Sequence, residues 1–233
     1  MAQSGVGVPG VRPEASVMQH AIRILVLLNR CGEPVKQGDP DGCVAVIRAE
    51  LRLQALDFWL RNPDYLAGQL LAMVEAGELP NGEYLAVVEH LLSSPEPDLH
   101  WYPMPRWHYG AYEAIDDAFS VLSTYGLASV RRLGGVTKTA RSQFFLTEAG
   151  RVAAVELAAE PVLSWYTEQA KLVALVAGDN NGSTLKKRQY QQAEYARTKL
   201  GVHIAPIHAG VRERLEVVKA GGGVASAASG GAQ

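Results

Sequence analysis

Residues 109–160 carry the pattern that most constrains how this chain of 233 residues can fold. Apolar side chains recur first at helical spacing, up to the helix-ending Gly126, and then in two strand-like runs around a polar turn. Thr147 follows the second run as an N-cap for a further helix. The predicted order is helix, strand, turn, strand and capped helix, over residues 109–125, 127–133, 134–140, 143–146 and 148–160. These are the closing elements of a winged helix-turn-helix, in which the turn between the strands is the wing.

The remaining segments are predicted to be mainly helical, because their apolar residues recur at helical spacing between turn signals. The predicted helices before the winged segment cover residues 16–29, 44–60 and a stretch opened by Pro63, which the turn signal at 81–82 separates from a short stretch over 83–92. Those after it run from 162 to the turn at 178–182, from 183 or 184 to 200, and over 207–219. The first two of these resemble a hairpin. The predicted fold class is thus mainly α, with a winged helix-turn-helix core and an appended C-terminal helical hairpin.

Composition divides the chain into a structured body and two loose ends. Residues 1–13 and 220–233 are rich in Gly, Ala and Ser, so we expect a flexible N-terminal tail and a disordered C-terminal tail. The body consists of a helical and winged-helix domain, 14–160, and the hairpin extension, 161–219. Because 48% of the residues are hydrophobic, the chain has ample material for a packed core.

The sequence contains no arrangement of residues that is typical of catalysis or metal binding. There is no phosphate-binding glycine loop, no Gly-x-Ser-x-Gly elbow and no His-Glu-x-x-His motif. The six histidines are scattered, and Cys31 and Cys43 fit no zinc-ligand spacing. We therefore expect a non-catalytic protein with no cofactor and no metal.

Three acidic residues lie close together on the helix predicted over 109–125. Glu113 and Asp117 would share one face, one turn apart, with Asp116 beside them. A solvated face is the simpler interpretation, and a nuclease or other metal enzyme is a weaker alternative. In a DNA-binding winged helix this helix would enter the major groove, but here it has no Lys or Arg. Direct reading of DNA by this helix is therefore not expected.

Basic side chains are concentrated in the wing and towards the C-terminus. Residues 183–219 hold eight basic and three acidic side chains, although the formal net charge of the chain is −2. Such a patch can orient a protein on a charged partner or on DNA, and a winged-helix transcription regulator that binds DNA directly is the alternative function. The candidates for contact with DNA or an ATPase are Arg131, Arg132, Lys138, Arg141, Lys186, Lys187 and Arg188.

Aromatic side chains mark the candidate surface for protein partners. Two tryptophans lie in the proline-rich segment 93–108, and the basic run at 186–188 is followed closely by two tyrosines. Aromatic residues and Arg are the usual anchors of protein interfaces. The candidate partner-binding residues are Trp101, Trp107, Tyr109, Tyr190 and Tyr195.

Two stretches of the sequence are similar to one known family. The first is 51–64, Leu-Arg-Leu-Gln-Ala-Leu-Asp-Phe-Trp-Leu-Arg-Asn-Pro-Asp, and the second contains Leu-Val-Ala-Leu-Val-Ala-Gly at 172–178, Ser-Thr-Leu-Lys at 183–186 and Glu194-Tyr195. The winged segment, with Tyr-Gly-Leu at 125–127 and Phe-Leu-Thr-Glu-Ala-Gly at 145–150, lies between them. Together these resemble the middle component of bacterial ABC-three-component systems, over roughly residues 16–218.

The resemblance implies a small subunit similar to the middle protein of Lamassu-type antiphage modules. It would bridge a large ATPase that resembles SMC or Rad50 proteins and an effector, often a nuclease, without activity of its own. DNA would be bound only weakly or through the complex. Since no basic segment precedes an apolar run and no run approaches the roughly 20 residues that span a bilayer, we expect a cytoplasmic protein without membrane contact.

Overall fold

The computed structural model of the chain describes residues 16–93, 104–134 and 141–228, with side chains up to residue 221. These ranges are mainly helical with a small antiparallel sheet, which confirms the predicted mainly-α class. The candidate residues Trp101 and Lys138 and the predicted tail 1–13 lie outside the described residues. Among the described helices, none combines the length and the apolar character needed to cross a lipid bilayer.

Ten helices and six strands are found in these ranges. The helices are α1 Val17–Cys31, α2 Glu50–Arg61, α3 Pro63–Glu75, α4 Asn81–Ser93, α5 Asp116–Thr124, α6 Glu148–Ala159, α7 Ser164–Ala177, α8 Gly182–Gln189, α9 Ala193–Arg197 and α10 His208–Ala228. The strands are β1 Glu33–Pro34, β2 Cys43–Ile47, β3 Arg106–Trp107, β4 Gly110–Ala111, β5 Ala128–Leu133 and β6 Arg141–Thr147. The larger sheet has the order β1-β2-β6-β5 with antiparallel pairs, and β3 and β4 form a separate ribbon.

Several predicted elements are confirmed where local chemistry is strong. Ser16 caps α1 in a capping box, in which its hydroxyl accepts from the Gln19 N–H and the Gln19 side chain accepts from the Ser16 N–H. Thr147 caps α6 by accepting from the Gly150 N–H at 3.0 Å. Pro63 occupies the first turn of α3. The two strands beside the predicted wing pair as expected.

The helix predicted over 44–60 is wrong in its first part. Residues 43–47 form β2, and α2 begins only at Glu50. Val46 pairs with Phe145 of β6, about a hundred residues away in sequence. A short run rich in β-branched residues is compatible with either a helix or a buried strand, so the distant partner decided the outcome.

The helix predicted over 109–125 also begins later, at Asp116. Gly110 has a φ of 114°, in the left-handed region that a right-handed helix excludes. A Cβ at this position would stand 2.8 Å from the Tyr195 hydroxyl, which accepts a hydrogen bond from the Ala111 N–H. The approach of Tyr195 therefore fixes this segment as part of a ribbon.

The C-terminal part differs from the predicted appended hairpin. The long helix expected over 183–200 is divided into α8 and α9, and α10 extends through 220–228, where a tail was expected. α7 packs against α1 and α2, and α8 packs against α2. The buried residues of 164–215 belong to the same hydrophobic core as those of α1 to α3. This region is therefore integrated into the core.

We predict that Gly150→Ala destabilises the fold strongly. α6 lies so close to the sheet that a Cβ at Gly150 would overlap the Leu127 carbonyl oxygen and the Leu146 side chain. Because a backbone carbonyl cannot move aside, the free energy of unfolding should fall by about 3 kcal/mol. Gly210→Ala in α10, where a Cβ meets open space, is the control and should change it by less than about 1 kcal/mol. Urea unfolding followed by circular dichroism measures both, and equal effects would contradict the close packing.

Candidate functional site

The segment 51–64, which carries the family resemblance, is largely buried. It forms α2 and the start of α3, and Phe58 packs edge-on against the rings of Tyr65 and Tyr195 at 4.9 and 5.0 Å between centroids. Asp64 accepts a hydrogen bond from the Ile207 N–H at 2.6 Å, which ties the segment before α10 to the start of α3. The segment therefore holds the interior together.

Five ionisable side chains meet between α1, α2 and the residues before α5. They form the buried charge cluster, which consists of His20, Arg23, Asp57, Arg61 and Glu113. Arg23 Nε donates to Asp57 Oδ1 at 3.2 Å, and Arg61 Nη1 lies 3.5 Å from Asp57 Oδ2. Arg61 also pairs with Glu113. Four of these residues are at most 5% exposed, and only the Glu113 side chain, at 33%, reaches solvent.

The charges of this cluster balance. Two guanidinium groups face two carboxylates, and His20 lies between the carboxylates, with Nε2 3.8 Å from Asp57 and Nδ1 3.9 Å from Glu113. Burial lowers the pKa of His20 to about 4, against the opposing effect of Asp57, so the imidazole is neutral near pH 7. Burial acts to raise the pKa of Asp57, but the neighbouring guanidinium groups outweigh it and hold this pKa below its ordinary value.

Three of these residues are of types that bind metal ions. His20, Asp57 and Glu113 offer ligand atoms that lie within 4.8 Å of one another. Both carboxylates, however, are already neutralised by Arg23 and Arg61. A divalent cation would add two positive charges to an interior that is balanced without it, at a large desolvation cost. The arrangement fits an ion-pair network that joins α1, α2 and residue 113.

The predicted acidic cluster is not formed. Glu113 lies before α5 and turns inward to Arg61, whereas Asp116 and Asp117 are exposed at the start of the helix. The predicted placement of Glu113 on one helix face with Asp117 is therefore wrong, and the charged interior was not predicted. A signal was present, because Asp57 and Arg61 stand four residues apart on α2, with only apolar residues between them.

Hydrogen bonds hold the residues between β3 and α5 against this interior. Gln54 donates to the Glu113 carbonyl at 2.6 Å and accepts from the Glu113 N–H at 3.1 Å. Tyr195 accepts from Ala111, and Tyr112 N–H donates to the Pro105 carbonyl at 3.1 Å. These hydrogen bonds thus fix the ribbon of β3 and β4 to the interior, while the turn between its two strands is exposed.

A set of exposed and half-buried side chains surrounds this ribbon, and we call it the aromatic–cationic surface. Lys186 Nζ lies 5.5 Å from the ring centroid of Tyr109 and 5.4 Å from that of Tyr190, and donates to the His108 carbonyl. Trp107 is 48% exposed and Tyr109 75% exposed. Gly201 lies against the Trp107 ring, between two half-exposed apolar residues. The surface consists of Trp107, Tyr109, Lys186, Tyr190, Leu200 and Val202.

The structure thus brings together three of the five candidate partner-binding residues. Trp107 and Tyr109 lie at the surface, and Tyr190 is half-buried beneath them. Tyr195 is fully buried, so its predicted place at a surface is wrong. Helical spacing alone did not show that α8 ends at Gln189, after which the chain turns inward.

Some of the basic residues predicted to contact DNA or an ATPase are bound to other groups of the protein, and others are exposed to solvent. Arg131 donates to Asp39 and to the Gly38 carbonyl, both at 2.7 Å, and lies over the Phe145 ring. Arg188 donates a hydrogen bond to the Val176 carbonyl of α7. Those that face solvent are Arg132, which lies 3.3 Å from Asp116, together with Arg141 and Lys187.

The buried charge cluster makes the stability of the fold depend on pH. Because the pKa of His20 is about 4 in the folded chain and has an ordinary value of 6.5, the unfolded chain binds an extra proton between these values. The free energy of unfolding should therefore fall as the pH drops through this window, by about 2 kcal/mol from pH 7 to pH 5. Urea unfolding at the two pH values measures it.

The control compares two histidine variants. His20→Gln should remove most of the difference between pH 7 and pH 5, whatever its effect at pH 7. His108→Gln, at an exposed position, should leave the difference as in the unsubstituted chain. The assignment is contradicted if both variants keep the same pH dependence.

The chain was compared with protein-family models, with curated proteins and with solved structures. No family model matches it, and neither does any curated protein or any solved structure. The family resemblance therefore stays a prediction from the sequence.

Proposed function

We propose that this chain is a non-catalytic adaptor subunit that docks onto partner proteins through the aromatic–cationic surface. The observation that carries the proposal is the exposure of Trp107 and Tyr109, two residues apart on a ribbon that is fixed to the interior. Large aromatic side chains lose unfavourable contact with water when a partner covers them, and they dominate the energetics of many interfaces.

The surface is also preorganised. Arg106 N–H donates to the Val202 carbonyl at 2.9 Å, and Gly201 N–H donates to the Arg106 carbonyl at 2.8 Å, so the ribbon is joined to the loop beside it. Lys186 is held between two tyrosine rings. Because little side-chain or loop freedom remains to be lost, binding would cost less conformational entropy than binding through a loose loop.

The charge around this surface favours an acidic partner. Lys187 and Lys199 are exposed beside it, and the region 183–219 is basic. The family resemblance suggests who the partners are, namely an SMC/Rad50-like ABC ATPase and an effector, often a nuclease. We propose that the chain bridges them in a cytoplasmic antiphage or anti-plasmid defence complex, without a cofactor.

We further propose that a winged-helix unit forms the scaffold. The strand order β2-β6-β5 is antiparallel, α1 and α5 pack together, and α5 precedes the β5–β6 hairpin. In this interpretation α2, α3 and α4 are inserted between the first strand and α5. The insertion carries two of the five residues of the buried charge cluster, Asp57 and Arg61, and thereby supports the ribbon, so we propose that the unit serves protein contact.

Direct DNA binding by a transcription regulator is the alternative, and the charge distribution disfavours it. The exposed start of α5 presents Asp116 and Asp117, which would repel phosphates. Arg132 already lies beside Asp116, and Arg131 is bound to Asp39. Among the described residues, few basic side chains at this face are left without an acidic partner. Contact with DNA is therefore more consistent with a role inside a complex.

We predict that Trp107→Ala and Tyr109→Ala each weaken binding to the ATPase or effector encoded beside this chain about tenfold or more. Lys187→Glu should also weaken this binding, because it replaces a positive charge beside the surface with a negative one. Biolayer interferometry with the purified partners measures the dissociation constants. Val217→Ala, which removes an exposed apolar side chain from α10, is the matched control and should have no effect. Lack of affinity of the intact chain for either neighbour would overturn the proposal.

The isolated chain should bind duplex DNA negligibly. Fluorescence anisotropy with a labelled duplex containing the promoter of its own operon tests this at low salt, where phosphate contacts are strongest. Tight binding that weakens steeply with salt and is lost in Arg132→Ala/Arg141→Ala would instead support the transcription regulator.

A further inference from the structure

We propose that two copies of the chain associate through the outward face of α6, with the two α6 helices parallel and side by side. This inference goes beyond the adaptor role and uses different elements from the aromatic–cationic surface. It is based on an exposed apolar stripe, an adjoining groove and a self-complementary pair of charges.

The outward face of α6 is apolar although it faces solvent. Gly150 and Ala154 point to the core, and on the opposite side Val152 and Val155 are 48% and 61% exposed. Ala159, one helical turn beyond Val155, continues this stripe and is exposed. The spacing of 152, 155 and 159 alternates three and four residues, which is the spacing of the seam between two paired helices.

A groove runs along one edge of this stripe. Its volume is about 380 Å³, and it lies between α1, α5 and α6. Its walls are mainly apolar, and its rim carries the exposed Met18 and Tyr125 together with the carboxylates of Glu156 and Glu160. The stripe and the groove together form a contiguous apolar patch with a charged rim, which is the kind of surface that marks an interaction site.

The charges at the two edges of the stripe are complementary between two copies of the chain, so a second copy is the partner that fits this face. Arg151 lies at one edge and Glu156, five residues further along, at the other. When two α6 helices pair in parallel, the Arg151 edge of one helix meets the Glu156 edge of the other. A residue at one edge then lies opposite the residue five positions later on the other helix, so Arg151 of each copy would meet Glu156 of the other. In an antiparallel pair each edge meets the equivalent edge of the other helix, so Arg151 would not lie opposite Glu156.

The same parallel register also covers the groove with a side chain of the other copy. The edge that bears Arg151 would lie over the groove of the other copy, where the stem of Arg151 can cover Tyr125 and its guanidinium can reach Glu156. Arg151 now pairs with Glu148, at the start of α6, in an exposed contact of low energetic value. Because a two-fold contact uses every residue twice, each apolar side chain and each ion pair contributes in duplicate.

The first experiment measures the mass of the full chain in solution. Size-exclusion chromatography with light scattering and analytical ultracentrifugation, from about 1 to 100 µM, should find a reversible dimer. Val155→Asp should shift it to the monomer, and Val217→Asp, at an exposed valine of α10, should leave the dimer intact. Circular dichroism checks that both variants are folded. A monomeric unsubstituted chain at 100 µM, or a dimer unaffected by Val155→Asp, would overturn the proposal.

The second experiment tests the register by exchanging charges. Arg151→Glu and Glu156→Arg should each raise the dimer dissociation constant about tenfold, because each places like charges together. The double variant Arg151→Glu/Glu156→Arg should bring the constant back to within about threefold of the original value. A double variant no tighter than the single ones would rule out this parallel pairing, and binding to the ATPase can be followed separately with Trp107→Ala.

Discussion

The structure depends on the pairing of Asp57 with Arg23 and Arg61. Charges in a protein interior are tolerated only when they are paired and hydrogen-bonded, so α1 and α2 can pack closely only in the register that brings these groups together. Glu113 completes the set by pairing with Arg61, and it thereby fixes the residues that precede α5. His20 can be accommodated between the two carboxylates because it is neutral. One buried carboxylate thus sets the positions of two helices and of a segment that reaches the surface.

A second set of contacts joins the C-terminal part of the chain to the same segment. Tyr195 packs against Phe58 and Tyr65, and its hydroxyl accepts from Ala111, so a single side chain links α2, α3, α9 and the ribbon. Asp64 holds the backbone before α10. Residues 51–64 therefore help to organise the interior.

Two surfaces follow from this interior, and they lie on different elements. The aromatic–cationic surface is presented by the ribbon of β3 and β4 and by α8, both of which rest on α2 and Tyr195. The outward face of α6 is presented by the close approach of Gly150 to the sheet. The adaptor role that we propose requires more than one binding surface at once, and rigid elements with separate supports meet this requirement without any change of conformation.

Local chemistry in the sequence determined the elements whose signals are short-range. Ser16, Pro63 and Thr147 fix helix starts through hydrogen bonds or backbone restriction within a few residues, and the strands around the wing follow from two short apolar runs on either side of a polar turn. Only the tertiary structure decided that 43–47 is a strand, that Glu113 turns inward and that Tyr195 is buried. Each of these depends on a partner far away in sequence, respectively Phe145, Arg61 and Phe58. Periodicity describes how a segment can be arranged, whereas the contact that selects one arrangement exists only when the chain is folded.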